Sequence, residues 1–242
     1  MRSVLSVSAA AALCGLAVSS ARAGVPDGDV YMTWDGSRIG IGLIPEGGGP
    51  GDAVPGVRVF AGDIGDPDPF TANDPGLMGV AGTFPVPSSV GFHLTAPVRT
   101  WNGSEFSAAP SGDYFRVYLG ALQAATPGNP LALPDGWSIA VDGPGPTAGE
   151  WHHHPFWELD SESPSTPDGL FLVEMTVYNS TTNIPSDPFW IIWNKEADPD
   201  NPVNDVGAAY DWVNANLVPA PASAAFLGAG FFAARRRRRS PA

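Results

Sequence analysis

The stretches LFLVEMTVY (170–178) and FWIIW (189–193) decide the fold. Both are short, rich in aromatic and β-branched side chains, and bounded by turn-forming residues, which is the pattern of strands. The second is apolar at every position, so its two faces are both covered and it takes a central place in a sheet. A chain of 242 residues holding 29 Gly and 26 Pro, with only 15% charged residues, leaves little room for long helices.

Outward from this pair, the same reading places strands at Asp29–Trp34 and Arg38–Leu43, joined by the turn Asp35-Gly36-Ser37 as an N-terminal hairpin. Further strands are expected at Val57–Ala61, Val90–Thr95, Val98–Trp101, Tyr114–Leu119, Trp137–Val141 and Glu150–Leu159. Val90–Thr95 and Val98–Trp101 read as a strand pair interrupted by Pro97. One helix is expected over Ala208–Leu217, with Asn204 or Asp205 as its N-cap. About ten strands with irregular turn spacing give a mainly β chain, an antiparallel, jelly-roll-like β-sandwich with one short C-terminal helix.

Two sorting segments flank that domain. Met1-Arg2, an apolar run Val4–Val18 and the A-x-A pattern Ala21-Arg22-Ala23 mark residues 1–23 as a secretory signal peptide, cut by signal peptidase before Gly24. The only cysteine, Cys14, leaves with it, so the exported domain (24–217) has no disulfide and no thiolate ligand. At the other end, VPAPASAAFLGAGFFAARRRRRSPA (218–242) joins a Pro/Ala signature to a hydrophobic segment, Ala222–Ala234, and to Arg235, Arg236, Arg237, Arg238 and Arg239. An apolar segment closed by a cationic block is a stop-transfer arrangement. Thirteen apolar residues fall short of the roughly 20 that span a bilayer, which suits transient lodging in the inner membrane.

Between the sorting segments lie all 25 acidic residues and only five bases, Arg38, Arg58, Arg99, Arg116 and Lys195, a net charge of −20. Such a field repels nucleic acid and anionic membrane surfaces, which excludes nucleic-acid binding. It suits a soluble extracellular protein or one that attracts cations.

Three of the four histidines are consecutive, His152, His153 and His154. On a strand the side chains alternate, so Glu150, His152 and His154 share a face while Trp151 and His153 point away. Two imidazoles at i and i+2 stand about 6–7 Å apart at Cβ and can converge on one metal ion. Glu150 on the same face and His93 from a neighbouring strand are the candidate additional ligands. Zinc fits this set best, with copper, nickel and iron also open. Exposed Trp151 and Trp157 are candidates for stacking on polysaccharide, the alternative function for an exported acidic sheet protein. The oxygen-rich clusters Asp198/Asp200/Asn201/Asn204/Asp205 and Asp63/Asp66/Asp68 lack the glycine and distal glutamate of a calcium loop and read as capping and solvated loops. No G-x-S-x-G, H-E-x-x-H or phosphate-binding glycine turn is present, so no catalytic residue is assigned and a non-enzymatic role is expected.

The tail resembles a PEP-CTERM sorting signal, with Val218, Pro219 and Pro221 matching the signature and Ala220 standing where the family has Glu. The resemblance implies processing by an exosortase-type enzyme and a place at the cell surface or outside the cell; the alternative is a plain tail anchor. The stretches VRVFAGDIGD (57–66), GTFPVPSSVGFHLTAPVRTWNG (82–103), GEWHHHPFWEL (149–159) and SDPFWIIWN (186–194) resemble PEP-CTERM proteins associated with zinc-repressed genes, which implies a role around zinc scarcity. His152-x-His154-x3-Glu158 also resembles the first motif of cupins, implying as a third function a metalloenzyme with a cupin-like site. Flanking glycines are missing, Pro155 lies between the ligands, and no histidine follows position 154 to complete the second cupin motif.

Overall fold

The strand at 189–193 is walled in on both sides, and that fixes how the rest is arranged. The computed structural model describes residues 25–219, apart from 66–67, 110–111, 161–167 and 196–204. Within them the chain runs β1 (Gly28–Trp34), β2 (Ile39–Pro45), β3 (Val54–Pro55), β4 (Val59–Ile64), β5 (Thr71–Ala72), β6 (Leu77–Gly79), β7 (Ser89–Leu94) and β8 (Arg99–Trp101). It continues with β9 (Phe106–Ala108), β10 (Tyr114–Leu119), β11 (Leu122–Ala125), β12 (Ser138–Ala140), β13 (Trp151–His153), β14 (Phe156–Asp160), β15 (Gly169–Asn179), β16 (Phe189–Lys195) and α1 (Val206–Asn216).

The strands form three sheets, in the orders β13-β6-β1-β2-β3, β11-β10-β14-β5 and β12-β7-β15-β16-β4, with β8 and β9 added beside β15. The protein is mainly β, as the sequence indicates. Two pairings are parallel, β1 with β6 and β16 with β4, so the first and third sheets are mixed while the second is purely antiparallel. The segments 90–95 and 98–101 do not pair with each other. Leu94 aligns with Met175 and Thr100 with Phe171, so they lie end to end along one edge of β15.

Alternation along β16 explains its wholly apolar sequence. Phe189, Ile191 and Trp193 enter the main core, while Trp190 and Ile192 face a second cluster closed by Ala209 and Val213 of α1. Asp205 caps that helix, its Oδ1 accepting the Ala208 N–H at 2.9 Å. The main core joins all three sheets: Met32 and Leu43 from the first, Phe115 and Trp157 from the second, Val173 and Trp193 from the third. Trp193 stacks on Phe115 at 5.8 Å and meets Trp157 at 5.2 Å between ring centroids.

The expected strand over Glu150–Leu159 is two strands. β13 belongs to the first sheet and β14 to the second, and the chain crosses between them at His154-Pro155. Pro155 has no N–H for a ladder, so the break falls where the backbone cannot pair. A second crossing between the same two sheets, residues 73–76, joins β5 to β6.

Of the residues expected to form a C-terminal sorting signal, Val218 packs partly buried against the second cluster and Pro219 follows it. Pro221, the apolar segment 222–234, Arg235–Arg239 and the expected signal peptide (1–23) lie outside the described residues. Among the described residues no helix is long and apolar enough to cross a membrane.

Candidate metal centre

His152 on β13, the edge strand next to β6, and His154, one residue past that strand's end, reach the same point. His152 aligns with Met78, and Met78 aligns with Tyr31 of β1 across the parallel pairing. Continuing that register toward the chain crossings puts His154, Gly76 and Asp29 side by side. The backbone bond from Val30 N–H to Gly76 O, 2.9 Å, holds this alignment. Adjacent strands are about 4.8 Å apart, so His154 and Asp29 stand about 10 Å apart at the backbone and must meet over the middle strand. Gly76 makes that meeting possible. A Cβ there would come within 2.7 Å of His154 Cε1, 2.8 Å of Nε2 and 2.9 Å of Asp29 Oδ1.

The result is a triangle of donor atoms. His152 Nε2 and His154 Nε2 are 3.0 Å apart, His152 Nε2 is 3.5 Å from Asp29 Oδ2, and His154 Nε2 is 3.8 Å from the same oxygen. Donors about 2.0–2.1 Å from a tetrahedral ion stand about 3.3–3.4 Å from each other, and the three edges bracket that value. The centre of the triangle lies about 2.0 Å from each donor, so an ion slightly above that plane has room for zinc-type bonds of about 2.0–2.1 Å and a fourth vertex. Three electron-rich atoms this close repel unless a proton or a cation sits between them. The residues therefore fit a divalent transition-metal ion, bound by two imidazoles and one carboxylate.

Neighbouring groups orient two of the three ligands. His154 Nδ1 lies 2.9 Å from Asp74 Oδ1 and 3.2 Å from Asn73 O. Both partners are acceptors, so Nδ1 carries the hydrogen and Nε2 keeps the lone pair that faces the triangle. Asp29 accepts the Gly76 N–H on Oδ1 at 2.9 Å, which leaves Oδ2 turned to the histidines. The three side chains are partly exposed, and they line a cleft of about 680 Å³.

The chain matches no family model, no curated protein and no solved structure. The candidate site therefore rests on its own geometry.

Sequence reasoning located the two histidines and missed their carboxylate. Glu150 and His93 are not in the triangle. His93 lies on β7, with Nδ1 3.2 Å from Asp135 Oδ1 and its ring stacked on Tyr178. Glu150 sits just before β13, where its backbone N–H is held by Thr147 O and its carbonyl by the Asp142 N–H. Glu158, third in the cupin-like run, pairs with Arg116 in the second sheet. His153 points to the other face and packs edge-on against Trp151 at 4.7 Å; burial, then the neighbouring His152, hold its pKa below the usual histidine value. The expected exposure of Trp151 and Trp157 is corrected as well: both are core residues, 2% and 0% exposed. Asp29 and Asp74 look in sequence like a strand residue and a loop aspartate; the parallel β1–β6 pairing brings the first to His154, and the crossing into β6, which pairs with β13, brings the second.

Proposed function

We propose that this is an exported cell-surface protein, sorted by a PEP-CTERM and exosortase-type system, whose outer domain binds one divalent transition-metal ion through Asp29, His152 and His154 without turning over a substrate. Zinc is the ion of choice, because a mixed imidazole and carboxylate set at about 2.0 Å suits it. The donor triangle is the observation that carries this reading. The acidic domain supports it, since a −20 field concentrates cations at the surface. The tail and signal peptide support export. The jelly-roll-like sandwich expected from the sequence is kept only as part of this proposal, because three sheets, two of them with a parallel pair, surround the main core.

Calorimetric titration of the purified protein with Zn²⁺ tests the reading. One ion per chain is expected, with the heat lost in a His152→Ala/His154→Ala double variant. Unchanged binding in that variant would remove the proposal. The polysaccharide reading is disfavoured, because the tryptophans on which it rested are inside the core.

A further inference from the structure

We infer that the fourth coordination position of this centre opens into the cleft and accepts a neutral nitrogen donor, the imidazole of a histidine-bearing partner or peptide, while excluding anions; the inference rests on the metal-site reading above. Three protein donors leave a tetrahedral ion one free vertex. Among the described residues no fourth histidine, cysteine or carboxylate joins the group, and Asp74, which also lines the cleft, is engaged with His154 Nδ1. The donors all border the same cleft, and its volume of about 680 Å³ admits a side chain or small ligand.

The charge of the cleft selects the ligand. Asp27, Glu46, Asp63 and Asp74 line it together with Asp29, and among the described residues no lysine or arginine does. A bound dication neutralises two of these five charges, so the loaded cleft stays anionic. An entering anion meets that field at short range in a partly enclosed site, where screening is incomplete. A neutral imidazole pays no such penalty and is a good ligand for zinc-type ions.

The test uses the full chain loaded with Co²⁺ in place of zinc, read by visible absorption. Imidazole and azide are titrated, two nitrogen donors that differ in charge. The same titrations are run on an Asp27→Asn/Glu46→Gln/Asp63→Asn variant, which leaves the three ligands intact. Imidazole is expected to shift the cobalt bands in both proteins, with affinities within about twofold. Azide affinity is expected to rise at least about tenfold in the variant, as the local field weakens. Bands unmoved by either ligand would mean a closed coordination sphere and overturn the inference, as would an azide affinity unchanged by the substitutions. A wild-type protein that takes up no Co²⁺ would instead refute the metal site itself.

Discussion

His154 Nδ1 lies 2.9 Å from Asp74 Oδ1, and this contact points the opposite nitrogen of the ring at His152 and Asp29. A carboxylate behind a ligating histidine fixes its tautomer and raises its basicity, and loss of such a partner weakens metal binding about 10–100-fold. Asp74→Ala is therefore expected to weaken zinc binding by about tenfold or more in calorimetry, with little change in thermal stability of the metal-free protein. Equal affinity in the variant would show that Asp74 does not orient the ligand.

Gly76 separates site from scaffold. The atoms a Cβ would strike belong to the ends of the His154 and Asp29 side chains, which can swing away. Gly76→Ala is expected to leave urea unfolding of the metal-free protein within about 1 kcal/mol of wild type. Zinc affinity is expected to fall at least about tenfold, because both displaced groups are ligands. A variant that binds zinc normally would contradict the side-by-side placement of His154, Gly76 and Asp29.

Trp193 ties the third sheet to the second. It is fully buried, stacked on Phe115 and in contact with Trp157. Trp193→Ala is expected to cost about 3–5 kcal/mol in urea denaturation, the range for large-to-small changes at aromatic core positions. Trp151→Ala is expected to act in the same direction, consistent with its burial and its bond from Nε1 to Ile139 O at 3.2 Å. A destabilisation below 1 kcal/mol in both would contradict their core placement.

Tyr114 makes the fold sensitive to alkali. Burial, and then its hydrogen bond to the Asp160 carboxylate, push its pKa up to about 12. An unfolded tyrosine ionises near 10. The folded state therefore holds a proton that the unfolded state gives up, and stability present below pH 10 is lost as pH rises toward 12. Thermal unfolding from pH 8 to 11.5 should show Tyr114→Phe losing less stability than wild type over the upper part of that range. Parallel curves would show that Tyr114 ionises normally.

Local chemistry was legible in the sequence; pairing across long separations was not. The wholly apolar FWIIW revealed that β16 is covered on both faces, by the main core and by α1. The Asp205 cap and the hairpin of β1 and β2 were likewise written in neighbouring residues. Period-two alternation put His152 and His154 together, but it also extended one strand across Pro155, where the chain in fact changes sheet. The missing ligand was hidden for the same reason. Asp29 reaches the histidines through the parallel pairing of β1 with β6 and the absence of a side chain at Gly76, neither of which leaves a periodic mark in the sequence. His93 illustrates the converse: it is on the expected strand, yet that strand lies in another sheet.

X-ray absorption at the zinc K edge on the zinc-loaded protein reads the donor set itself. Two imidazoles and one carboxylate with one exchangeable ligand should give a four-coordinate shell of nitrogen and oxygen at about 2.0–2.1 Å, with outer-shell scattering from two imidazole rings that disappears in His152→Ala/His154→Ala. A six-coordinate, all-oxygen shell without imidazole scattering would place the ion on surface carboxylates and contradict a centre built by Asp29, His152 and His154.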